Sequence, residues 1–507
     1  MSRAGLVWSV RPGGPQLAMP TGPGLAMLRL PGGSRVVYPP DPLAVLTDPR
    51  AAVAAALAQP MDSAPLSERL RPGMRLTVSV ETAGEPWPRP ADPDPRSRVV
   101  EAVLTAAASA GVDDVVVLVA GGIGRRLSPR EISALLGERV TRSLLPLGLV
   151  VQHDPDDGDR LVNVGQSSEG GQLLLNDRAA GSDLLIRIAA VATPAGAGPG
   201  ALPRSLGGTE TVRQCADPDL AARAGASVTA AVPTFAVELV LSDVPAGGRS
   251  GFLGTREWEW SARQQLAART TRAVLPRLPA AVRTRVVQSV HGGRDLVGLA
   301  AGGAEPVGAA TRATLDAQRL VSVPDPVDLV VLGVPAIGPY NAGVADNPVL
   351  AAGLALDTLL GSHTGVPVVR AGGVAVLLHP LTPRFSQVQH PAHADFYSQV
   401  LPSRPDSPDW APARLRFSED PWYRHLYRTS YAYPGSHPFA LWERTAAMRA
   451  HLGEIIWVGA DRGAAARLGD RAATTLADAM EIASAIVGSD PTVLALHTAD
   501  RLRTDSR

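Results

Sequence analysis

The chain has 507 residues, too many for one ordinary hydrophobic core, and a length prior suggests two to four domains. Its 48 basic and 48 acidic residues cancel to a formal net charge of zero, which argues against a nucleic-acid partner. One cysteine, Cys215, excludes an intrachain disulfide framework and any multi-cysteine metal site, and the complete absence of lysine excludes a Schiff-base or Walker lysine.

The first 70 or so residues are rich in Gly, Pro and Ala and read as short strands joined by turns. Arg11-Pro12 breaks the early apolar patch, so no secretory signal is read there. No run of about 18 uninterrupted apolar residues follows, no membrane partner is expected, and the expected setting is the cytoplasm. Leu43–Leu57 is predicted helical, and Met74–Val80 alternates like a strand. A helix at Val99–Ala110, an apolar strand at Asp114–Ala120 and a helix ending at Leu136 come next. Ser128-Pro129-Arg130-Glu131 supplies that last helix with a capping box and with proline at its first position. Strands at Leu149–Gln152 and Asp183–Val191 continue the series, and residues 192–208 form a long Ala-Gly-Pro loop. A strand at Phe235–Leu241 and a helical region from Trp258 to about Leu275 complete the first half.

After a mixed connector, a second alternating series starts at Val327–Val334. It runs through a helix at Asn347–Leu360, a strand at Gly373–His379, a helix from Phe439 to His451, a strand at Glu454–Gly459, a helix at Thr475–Ile486 and a strand at Thr492–His497. Apolar strands separated by helices indicate an α/β fold with mostly parallel sheets covered on both faces. The pattern divides into two α/β domains, residues 1–275 and 326–507, with a connector at 276–325. A functional cleft is expected between them.

Three stretches carry candidate chemistry. Ala120-Gly121-Gly122-Ile123-Gly124-Arg125-Arg126 follows a strand and precedes a capped helix. Backbone N–H groups at Gly122 and Gly124, with the guanidinium groups of Arg125 and Arg126, could hold the phosphate or carboxylate of a cofactor. The dinucleotide fingerprint is incomplete, since Leu127 stands at its third glycine. His153-Asp154 opens an acidic turn that lacks the ligand spacing of a calcium loop. The densest signal lies at 377–439, which holds five of the ten histidines (His379, His390, His393, His425, His437) and five of the seven tyrosines. Imidazole is the side chain most easily used as acid, base or metal ligand near neutral pH. His390, His393, His425 and His437 are therefore the candidate catalytic groups, and His390, His393 and Asp395 a weaker metal candidate. Gly207-Gly208-Thr209 is not the elbow of a serine hydrolase.

The order of these motifs resembles the lactate racemase family. Matching pieces include Asp48-Pro49, Leu70-Arg71-Pro72-Gly73, the turn with Arg125, Leu127-Ser128-Pro129-Arg130-Glu131-Ile132, His153-Asp154, Asp183-Leu184-Leu185-Ile186 and Ala466-Arg467-Leu468-Gly469. Asn347-Pro348-Val349-Leu350, His390-Pro391, Asp395-Phe396-Tyr397, Asp420-Pro421-Trp422-Tyr423 and His437-Pro438-Phe439 resemble a branch of that family.

The resemblance implies a two-domain α/β fold with its site in the interdomain cleft. It also implies an isomerase that inverts the hydroxyl-bearing carbon of a 2-hydroxy acid, using a nickel-pincer nucleotide while histidines move the hydroxyl proton. The family's first catalytic histidine aligns with Gly124, and its second falls in the histidine-free loop 192–198. Its cofactor-bearing lysine falls near Pro199, and its nickel-ligating histidine at about Ala216, beside Cys215. The expectation is then a divergent racemase or epimerase for an organic acid, with a noncovalent pincer nucleotide, Cys215 as a metal ligand and the histidines of 377–439 as proton carriers. The alternative is a non-catalytic protein that binds a small anion or nucleotide on the same scaffold.

Overall fold

The computed structural model describes residues 6–506 apart from 15, 83–92, 244–251, 253–254, 280–281, 284–285, 287–293, 337, 339–341, 362 and 403–409. The architecture is α/β and built around two mostly parallel sheets. One has six strands in the spatial order Leu296–Gly302, Thr234–Leu241, Leu184–Ala190, Arg75–Glu81, Asp114–Ala120 and Val150–Gln152. The other has seven, in the order Val7–Ser9, Arg35–Val37, Val493–Leu496, Val327–Gly333, Val369–Leu378, Glu454–Val458 and Arg471–Ala473. In each sheet only the first-named pair is antiparallel.

The central strands are covered on both faces, as their continuous apolar runs require: every residue of Leu184–Ala190 is buried. Helices take over where periodicity and caps allow. Ser128 caps Pro129–Leu136 with the predicted box, its hydroxyl accepting from the Glu131 N–H while the Glu131 carboxylate accepts from the Ser128 N–H at 2.9 Å. The helix at Pro348–Gly353 widens into a π-helical turn at Leu354–Leu359, and Pro391–Asp395 does the same at Phe396–Val400.

Sheet membership runs across the expected division of the chain. Residues 7–37 supply two strands to the second sheet, because Arg35–Val37 pairs in parallel with Val493–Leu496. Within the expected connector, Leu296–Gly302 closes the edge of the first sheet, and the helix Ala304–Arg319 packs on it. Short elements and a glycine-rich strand, LVGLAAG, hid this edge from pattern reading.

Open α/β sheets take ligands beyond the carboxyl ends of neighbouring parallel strands whose connections lead away in opposite directions. In the first sheet that position falls between Arg75–Glu81 and Leu184–Ala190; in the second the strand order reverses between Val327–Gly333 and Val493–Leu496, and the latter runs on into a separate three-stranded sheet.

The first of these positions is filled by buried charge. Arg187 donates from Nε to Glu81 at 2.7 Å, from Nη2 to Glu81 at 2.8 Å and from Nη1 to Glu238. Arg187 also bonds the Gly196 carbonyl at 2.7 Å, Glu238 accepts from the Gly198 N–H at 2.7 Å, and Glu81 accepts from the Ser205 hydroxyl at 2.6 Å. The network pins the loop after Leu184–Ala190 to the sheet beneath it.

Candidate functional site

The two halves meet around the glycine-rich turn. Ile123 and Val212 of the first half pack against Ala440 of the second. The Tyr427 hydroxyl donates to the His153 carbonyl at 3.1 Å, Arg428 pairs with Asp154 at 2.9 Å, and the Thr209 and Ser436 hydroxyls are 3.4 Å apart. Asp156 sits in the same seam, accepting from the Thr209 hydroxyl at 2.6 Å, and burial pushes its carboxyl up to about 6.

The turn uses its own polar groups internally. Gly122 has φ +54° and lies so close to the Ala201–Leu206 helix that an added Cβ would stand 2.2 Å from the Arg204 carbonyl oxygen. Its N–H donates to Ser205 at 2.9 Å, and the Gly124 N–H donates to Gly121 at 2.8 Å, so neither points to an anion. Arg125 grips Glu131 with both terminal nitrogens and bonds the Arg126 carbonyl at 3.0 Å. Burial would raise the Glu131 carboxyl, but the Arg125 hydrogen bond and charge outweigh it and bring it to about 2. Of the four residues expected to bind a cofactor, Arg126 lines open space. It borders a cavity of about 380 Å³ shared with Asp154, Asp157, Arg160, Asn176 and Arg428, and among the described residues its guanidinium has no ion-pair partner.

Three of the four expected catalytic histidines converge. His390, the N-cap of Pro391–Asp395, stacks on Tyr433 with centroids 5.3 Å apart and meets His393 edge-on at 5.1 Å. His393 Nε2 lies 3.0 Å from Nδ1 of His437, the first residue of the helix His437–His451, so these two rings share one proton. All three are buried, His393 completely. Two ring nitrogens in the group, His390 Nε2 and His393 Nδ1, have no hydrogen-bond partner among the described residues. Burial lowers all three imidazoles; the Arg125 charge adds to the effect on His390, which falls to about 3, and His393 and His437 fall well below their ordinary value. They are neutral bases at any physiological pH. Gly343 makes room for the group, since a Cβ there would come within 2.4 Å of His390 Cε1.

His425 stands apart. The helix Pro421–Ser430 buries Tyr423, Leu426 and Tyr427, which places His425 on the opposite, exposed face, stacked on Trp422. Asp395 also turns away from the imidazoles: it accepts from the Tyr423 hydroxyl at 2.6 Å and from Gln399 at 3.0 Å. That separation removes the metal reading of His390, His393 and Asp395, and among the described residues no group of three or more His, Cys, Asp or Glu side chains is placed to hold a metal.

Cys215 is fully buried with Leu173, Ala221 and Ala224, and burial pushes its thiol up to about 11, which disfavours the thiolate a metal needs. Arg204, which the motifs did not single out, closes the adjoining region. Its guanidinium donates to the carbonyls of Ala195 at 2.9 Å, Cys215 at 2.7 Å and Ala216 at 3.2 Å. His153 packs beneath the seam with Nε2 3.0 Å from the Gly207 carbonyl, and His363 lies in a separate three-stranded sheet.

Two α/β halves built on mostly parallel sheets meet over a glycine-rich turn that lacks the third glycine of the dinucleotide fingerprint. Residues 26–201 match the lactate racemase N-terminal domain. The lactate racemase apoprotein from Thermoanaerobacterium thermosaccharolyticum superposes with a TM-score of 0.58 at 16% identity, covering 96% of this chain and 99% of that one. A protein from Thermotoga maritima gives a TM-score of 0.47 at 13% identity, covering 93% of this chain and 100% of that one. No curated protein matches the chain in sequence. The chain is lactate racemase-like in its N-terminal domain and in its fold.

Proposed function

We propose that the chain is a divergent racemase or epimerase acting on a 2-hydroxy acid or a related small organic acid, and that His390, His393 and His437 carry its proton transfers. The observation that supports this reading most is the shared-proton pair His393–His437 beside His390, with two buried ring nitrogens, His390 Nε2 and His393 Nδ1, that have no partner among the described residues, at the seam of the two halves. A neutral imidazole with a free lone pair accepts a proton from the substrate; the neighbouring ring accepts or returns one through the 3.0 Å contact. The proposed setting is cytoplasmic.

The residues present do not fit a nickel-pincer nucleotide held as in the family. No lysine exists to carry it. Arg204 ties Ala195, in the loop where the resemblance places the second catalytic histidine, to Cys215 and Ala216, where it places the nickel ligand, and the Cys215 thiol is buried and protonated. A noncovalent pincer nucleotide would meet the same Arg204 tether, so no chemical step is drawn through it.

The test is to incubate the full-length protein with single enantiomers of lactate and of longer 2-hydroxy acids in D2O, following chirality by chromatography and Cα deuteration by NMR. Interconversion with deuterium entering Cα, lost in His393→Gln, is the expected result; no interconversion of any of these acids overturns the reading. A non-catalytic role in binding a small anion has one observation of its own, the cavity beside Arg126, from which all three imidazoles are absent. Stabilisation of the protein by 2-hydroxy acids, lost in Arg126→Ala and without turnover, would favour it.

A further inference from the structure

The switch point of the second sheet carries a constellation that takes no part in the seam. His497 directly follows the strand Val493–Leu496, one of the two strands between which the strand order reverses. Thr498 comes next and has φ +54° and ψ +52°. A β-branched residue in the left-handed region is a rare and strained conformation, found where surrounding structure imposes it, often at functional sites. The chain then enters a short helical turn at Ala499–Arg501. Strand, strained residue and helical turn in succession are the geometry that lifts a nucleophile above a parallel sheet.

The side chains complete the pattern. Thr498 Oγ1 is 2.8 Å from His497 Nδ1, and His497 Nε2 is 2.8 Å from Glu257 Oε1. Glu257 is fixed by two further donors, the Ala18 N–H at 2.7 Å and the Tyr38 hydroxyl at 3.0 Å. A carboxylate only accepts, so in the neutral ring Nε2 carries the hydrogen, Nδ1 presents its lone pair, and the Thr498 hydroxyl donates to it. Hydroxyl, imidazole and orienting carboxylate thus stand in the order that activates an oxygen nucleophile. His497 and Glu257 are buried, while Thr498 is only partly so. An aromatic surface adjoins them: Tyr38 lies against His497 at 4.6 Å, and Trp258, 44% exposed, packs on Tyr38 and Trp8.

We propose that Thr498, His497 and Glu257 form a second active site, an esterase-type acyl-transfer centre for a small ester or thioester whose acyl group rests against Trp258. Thr498 Oγ1 bonds to the acyl carbon as its proton passes to His497 Nδ1. The carbon–oxygen or carbon–sulfur bond to the leaving group then breaks, and that group departs with the proton. Water attacks the acyl-threonine, its proton goes to His497, and the acid leaves as the threonine oxygen is reprotonated. No oxidant, reductant or metal is consumed.

The experiment treats the full-length protein with p-nitrophenyl butyrate and, separately, with an alkyl fluorophosphonate, reading the p-nitrophenolate burst and the intact mass followed by peptide mapping. The expected results are a burst approaching one equivalent and a single adduct on Thr498. Thr498→Val removes both while leaving the unfolding curve in place, Thr498→Ser keeps them, and His497→Gln slows acylation by about 100-fold or more. An adduct mapped elsewhere, no adduct at all, or equal labelling in Thr498→Val overturns the proposal. Mapping on the unmodified chain decides the matter even if a variant fails to fold.

Discussion

Acidification tests the buried imidazoles as a group. His379, His390, His393 and His437 are all held neutral by burial, His379 and His390 down to about 3 and the other two well below their ordinary value. In the unfolded chain each takes up a proton below about pH 6.5. The stability they contribute is therefore complete above pH 6.5 and is lost as pH falls toward the folded values. At pH 5 the loss is about 2 kcal/mol for each of His379 and His390, about 4 kcal/mol for the two, and His393 and His437 add to it in the same direction. Asp156 acts in the opposite sense, since its folded carboxyl sits at about 6, and it returns about 1 kcal/mol over the same window. The remainder is a large fraction of the stability of an ordinary domain. Urea unfolding followed by tryptophan fluorescence at pH 7.5, 6.5, 5.5 and 5.0 should show a steep fall below pH 6.5. His390→Phe, which keeps the stack on Tyr433, should flatten the slope by about 1.4 kcal/mol per pH unit. Stability constant between pH 6.5 and 5.0, or an unchanged slope in His390→Phe, would refute the assignment of neutral buried rings.

Arg187→Met should destabilise the protein by about 3–5 kcal/mol in urea titration, because it strands the Glu81 and Glu238 carboxylates without their cation. Gly343→Ala should displace the His390 ring and, if the proposed chemistry holds, reduce turnover while leaving the secondary structure seen by circular dichroism intact. Gly122→Ala meets both a left-handed backbone and the Arg204 carbonyl and should cost about 1–3 kcal/mol in the same titration. Arg428→Ala removes a half-exposed pair with Asp154 and should change stability by no more than about 1 kcal/mol at 0.15 M salt.

Much of the scaffold could be read from the chain. Continuous apolar runs at Asp114–Ala120 and Val327–Val334 marked covered parallel strands, and the Ser128 capping box located its helix to the residue. The pairing of Arg35–Val37 with Val493–Leu496 was not legible, because a three-residue strand carries almost no periodicity and its partner lies more than 450 residues away. For the site, the density of histidines found three that meet, but helical phase alone separates His425 from them. The glycine-rich turn suggested an anion cradle; whether its N–H groups are free depends on carbonyls of residues 121 and 205, which spacing does not reveal. Arg204 and Thr498 carried no motif and became visible only through what they touch or how their backbone is bent.

The arrangement of the strands also sets an order of assembly. Every strand of the six-stranded sheet lies between residues 75 and 302, so that half can close on itself while the rest of the chain is still being made. The seven-stranded sheet instead needs Arg35–Val37, synthesised among the first residues, to wait for Val493–Leu496, its neighbour. During translation the early segment has no sheet to join, and its exposed apolar residues depend on the growing chain or on chaperones for cover. Vectorial synthesis thus builds the inner half first and leaves the outer one to form late, by joining the two ends of the polypeptide. A slow last phase of refolding, first order and independent of protein concentration, is the behaviour such a topology imposes.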